Sequence, residues 1–112
     1  MDLTTILHQA VEHHSDDLAL VEGARQWTYA SWYARVKRFA HALSELGVRP
    51  GDRVAIYLPP GESYLTTTFA TQILGAVSVP VHNSGGADEL ALVLRDSSAR
   101  ILVYDGNVVE SR

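Results

Sequence analysis

Apolar residues near the amino terminus recur at helical intervals. Leu3, Ile6, Leu7, Ala10 and Val11 form one stripe, with Gln9, Glu12 and histidines between them, which predicts an amphipathic helix ending near His13 or His14. In LALVEGARQWTY, two apolar runs flank Glu22-Gly23-Ala24; Gly23 takes a positive φ at little cost, so the pattern reads as a β-hairpin. Helical spacing then returns. Thr28 offers an N-cap hydroxyl and a helix is expected from about Ala30 to Leu46. Tyr33, Val36, Ala40 and Leu43 make its apolar face, joined by Phe39 and Leu46, and Gly47 sits where a left-handed C-cap belongs.

The second half changes rhythm. RVAIYL reads as a strand, PPG punctuates, and Glu62 to Leu74 reads as a helix opened by an acid. AVSVPV is a second strand, Asp88 to Arg95 a helix, and ARILVY a third strand. Strands and helices alternating across short links imply parallel pairing with right-handed crossovers. The expected fold class is therefore α/β: an N-terminal helix and β-hairpin followed by a βαβαβ parallel-sheet unit. The closing DGNVVESR is polar and supplies no covering helix. Strand 101–104 and the sheet face beside it are accordingly expected to expose apolar surface and to drive self-association.

Bulk composition narrows the classes. The 112 residues fit one domain, 1–112, with 46% hydrophobic and 20% charged residues, ordinary for a globular chain. A formal net charge of -4 argues against a general partner in nucleic acid or anionic membrane. Cysteine is absent, which removes disulfides, thiolate metal sites and cysteine nucleophiles. MDLTTILHQAVEHH lacks the basic start and apolar run of a signal peptide, and no window approaches the roughly 18 apolar residues of a membrane span. The expected location is cytoplasmic.

Candidate chemistry is sparse. In VHNSGGADEL a strand, a glycine pair and a helix succeed one another, but no P-loop lysine follows, and Asp88 and Glu89 occupy the first helical turn. Carboxylates there take the place a phosphate would need. LPPGESY has a single glycine and puts Glu62 in the equivalent place. His8, His13, His14 and His41 form no ligand pair, and neither a metal site nor a cofactor-binding residue is expected. His82 alone follows a strand's carboxyl end, where open α/β sheets place ligands, and is the one substrate-pocket candidate. No serine lies in a nucleophile elbow, and no catalytic residue is assigned. Arg35, Lys37 and Arg38 read as a solvated basic face, and Trp27 and Trp32 as packing the hairpin onto the long helix.

Taken in order, the motifs resemble the N-terminal region of AMP-forming adenylating enzymes, the superfamily of acyl-CoA synthetases, fatty acyl-AMP ligases, luciferases and peptide-synthetase adenylation domains. The resemblance runs from about Ile6 to Tyr104. WTYASWY at 27–33 is similar to the family's first core motif and ILGAVSVPV at 73–81 to its second, with LGVRPGDRVAIYLP between them. It implies a scaffold portion of a carboxylate-activating ligase, whose partners are the remainder of that enzyme and a small carboxylic acid. ATP and magnesium are implied for the complete enzyme, with coenzyme A or a carrier-protein thiol as acceptor. The family's phosphate-binding loop and catalytic lysine have no counterpart in these residues, so the chain alone is expected to be inactive. Two other readings stay open here: a naturally short, non-catalytic interaction module on the same scaffold, and a free-standing flavodoxin-like nucleotide binder.

Overall fold

The computed structural model describes residues 3–81, 86–104 and 107–110. Helix α1 (Leu3–His14) leads into a hairpin of β1 (Leu18–Glu22) and β2 (Arg25–Thr28), paired antiparallel with Glu22 opposite Arg25. Helix α2 (Tyr29–Glu45) starts where the sequence predicts: the Thr28 hydroxyl accepts from the Ser31 amide at 3.1 Å. It stops at Gly47, whose φ of 97° lets the Gly47 and Val48 amides turn back onto the Ser44 and Leu43 carbonyls.

Strand β3 (Arg53–Tyr57), α3 (Glu62–Ile73), β4 (Val77–Pro80), α4 (Gly86–Ser97) and β5 (Ile101–Tyr104) follow, as the alternating pattern predicts. β3 is central, flanked in parallel by β4 and β5, giving the sheet order β4-β3-β5-β6. Val54 and Ile56 of β3, with Ile101 and Val103 of β5, face α1, α2 and α3 in the main core. Ala55 and Leu102 face the other way, toward Leu90, Val93 and Leu94 of α4. The two crossover helices thus lie on opposite faces.

Several expectations need correction. The terminal strand is not 101–104, because β6 (Asn107–Glu110) pairs antiparallel with β5. β5 is therefore an inner strand, with Ile101 and Val103 fully buried, and the apolar edge expected to drive self-association is absent there. The sheet edges are β4 and β6 instead. On β4, the Val77 and Val81 amides bond inward to Asp52 and Ile56. Parallel-strand alternation then turns Ser78 and Pro80 outward, so Pro80 removes one of the two donors on that rim. Leu46 lies exposed beyond the end of α2 rather than on its buried face, where Trp32 takes a place beside Val36, Ala40 and Leu43.

Candidate functional site

The loops leaving β3 and β4 go to helices on opposite faces, and in open α/β sheets such a switch point opens a crevice at the strands' carboxyl ends. The Val81 amide, bonded to the Ile56 carbonyl at 3.0 Å, fixes the two strand ends side by side. His82 and the loop through 85 lie outside the described residues, as does the side chain of Glu89. Asp88 is exposed in the first turn of α4.

On the β3 side a cleft of about 220 Å³ is lined by Leu58 to Ser63 and by Glu22 from the hairpin. Helix α3 begins here without a side-chain cap of its own, its N-cap being Gly61. Its first amide, that of Glu62, donates instead to Glu22 Oε1 at 3.1 Å, from a residue 40 positions earlier. A Cβ at Gly61 would fall on that carboxylate oxygen, so glycine is the residue that permits the approach.

Glu62 itself turns inward and is 3% exposed. Its Oε2 accepts from Arg35 Nε at 2.5 Å and from the Thr66 hydroxyl. Thr66 in turn accepts from the Trp32 indole at 2.9 Å, and Trp32 packs edge-on against Phe69. Trp32 thus joins α2 to α3, within the same core cluster against which Ala19, Leu20 and Trp27 of the hairpin pack. Arg35 leaves the solvated basic face to pair with Glu62. Lys37 lies over the Tyr33 ring and Arg25 over Trp27. Burial pushes the Glu62 pKa up, but the hydrogen bonds from Arg35 and Thr66 and the charges of Arg35 and Arg25 outweigh it. The carboxyl is held below its usual range and is ionised at neutral pH. A smaller cavity of about 50 Å³ lies against the same network, lined by Arg35, Phe39, Ser63, Thr66 and Thr67.

These residues do not fit a triphosphate. The amide that would greet a phosphate at α3 is already taken by one carboxylate and backed by a second. That arrangement is the opposite of what a flavodoxin-like nucleotide binder requires. Among the described residues no group of three His, Cys, Asp or Glu could hold a metal ion. His14, at the end of α1, pairs with Asp17 of the following turn at 2.9 Å, and His41 with Glu45 on α2 at 2.8 Å, both exposed. His8 meets the Tyr33 ring edge-on. No described helix is long and apolar enough to cross a membrane.

Sequence reasoning saw Glu62 only as an acid favouring a helix dipole. Thr66 lies one helical turn on, but Arg35 and Glu22 lie 27 and 40 residues away in the chain, so no local pattern could announce them. The one available signal was a single acid in an otherwise threonine-rich helix.

Comparison with known proteins gives this architecture a family. The AMP-binding enzyme family matches residues 7–112, and the chain belongs to it. Feruloyl-CoA synthase of Amycolatopsis sp is 44% identical over 86 residues, which are 77% of this chain and 18% of that protein. The fatty acid–[acyl-carrier-protein] ligase ScoC of Streptomyces coeruleorubidus is 36% identical over 110 residues, covering 96% of this chain and 21% of that one. Among solved structures, the N-terminal domain of FACL13 from Mycobacterium tuberculosis superposes with a TM-score of 0.88 at 30% identity, over 93% of this chain and 27% of that chain. The chain thus spans about a fifth of the length of the curated relatives it matches.

Proposed function

We propose that these 112 residues are the supporting scaffold of an ATP-dependent, AMP-forming ligase that activates a carboxylic acid, and that they do not catalyse the reaction by themselves. Domain 1–112 holds up one wall of the acid's pocket, and His82 is its candidate lining residue. The remainder of the adenylating enzyme is its partner and supplies the contacts to ATP and magnesium, and a thiol, coenzyme A or a carrier protein, takes the acyl group. The expected setting is the cytoplasm.

The observation that carries this reading is the family match over residues 7–112, joined to a helix start whose first amide is taken by Glu22. A nucleotide-binding segment would leave that amide free. ATP–pyrophosphate exchange tests the proposal on the folded chain, offered a series of aromatic and fatty acids with magnesium. No exchange above background is expected; turnover with any acid overturns the scaffold reading.

A further inference from the structure

We propose that the β1–β2 hairpin is a strap closed over the cleft at the end of β3, pinned there by the carboxylate of Glu22. The hairpin forms its own two-stranded sheet, apart from the central one. Its base is anchored, since Ala19, Leu20 and Trp27 pack against the main core. Its tip is not: Glu22 through Gln26 are exposed. Glu22 alone among the residues lining the cleft comes from outside the segment 58–63. Among the described residues, the hydrogen bond that ties this tip to the cleft runs from the Glu62 amide to Glu22 Oε1, and the Arg25 charge acts on the Glu62 carboxylate beside it.

The surrounding charges make this tie possible. Glu22 faces Arg25 across the hairpin, and behind the amide stands the Glu62 carboxylate, a like charge. Arg35 and the Thr66 hydroxyl satisfy Glu62 from the far side, which lowers the repulsion Glu22 meets. Gly61 clears the way, because a side chain there would collide with Glu22. Release of Glu22 frees the first amide of α3 and opens the cleft on its hairpin side, at the switch point of the sheet. A two-stranded ribbon packed at its base and pinned at its exposed tip by Glu22 has the form of a strap that moves without unfolding the core.

Amide hydrogen exchange followed by NMR on the 112-residue chain tests the proposal. In Glu22→Ala the Glu62 amide is expected to exchange roughly tenfold faster, the loss expected of a helix cap, while the Val54 and Ile56 amides of the central strand keep their rates. Glu22→Gln retains a side-chain acceptor and is expected to preserve most of the protection. An unchanged Glu62 amide in Glu22→Ala overturns the strap. So does equal acceleration at Val54 and Ile56, which would mark general loosening.

Discussion

The two faces of the central sheet are built differently. Toward α1, α2 and α3, large side chains are packed to full burial, among them Leu43, Ile56, Ile101 and Val36. A charged and hydrogen-bonded chain from Arg35 through Glu62 and Thr66 to Trp32 runs through the same layer. Toward α4 the buried residues are Ala55, Val81 and Ala99, and the larger side chains, Leu90, Val93, Leu94 and Leu102, remain partly exposed. One face therefore carries the stability and specifies how three helices dock. The other is a thin layer on one helix, close to the crevice where the family's chemistry is proposed to lie.

The sharpest way to break this contrast is a matched pair of truncations. Ile56→Ala, on the thick face, is expected to cost about 3–4 kcal/mol, because a fully buried isoleucine leaves a cavity that rigid neighbours cannot fill. Leu94→Ala, on the thin face, is expected to cost about 1–2 kcal/mol, since partly exposed neighbours can close in. Urea unfolding of both variants measures the difference, and equal losses would dissolve the distinction.

The polar chain offers the next test. Arg35→Ala leaves a carboxylate 3% exposed without its cation. The expected cost is about 1–3 kcal/mol, below the full penalty for a broken buried pair because Arg35 is itself 38% exposed. The sign of the pH effect follows from the lowered Glu62 pKa. The unfolded chain takes up the proton at higher pH than the folded one, so the stabilisation is complete above the ordinary carboxylate range. It is lost as pH falls through the folded pKa. The stability advantage of the native chain over Glu62→Gln should therefore shrink on acidification, as read from urea midpoints across a pH series.

Smallest, and opposite in sign, is Ser78→Ala. The Ser78 hydroxyl is buried on β4 with no hydrogen-bond partner among the described residues. Removing it is expected to raise stability by up to about 1 kcal/mol. A loss in the same urea assay would mean that the hydroxyl has a partner after all.

The elements were legible because each carries a local period: the α1 and α2 stripes, the Gly23 turn, and the apolar runs of β3, β4 and β5. Strand β6 was read as a polar tail, since Val108 and Val109 make too short an apolar run to signal a strand. The pairing of Tyr104 with Asn107 leaves only Asp105 and Gly106 between the strands, and that dipeptide was the hairpin signal to heed. The site was less legible than the fold. Spacing places Arg35 on a solvated face and Glu62 at a helix start, and it gives Trp32 no partner on α3. Their burial is decided by helix–helix docking, which spacing along one helix does not encode. Thr67 and Thr71 escape a pattern reading for a related reason. Their hydroxyls return to the Ser63 and Thr67 carbonyls within α3, so these polar side chains can be buried without any distant partner.

Pro80 gives the sheet a direction of growth. A foreign β-segment aligning beside Val77–Pro80 would find a single outward amide, at Ser78, and could form no continuous ladder there. Within the central sheet, edge-on pairing is therefore blunted at β4 and left to the 107–110 flank.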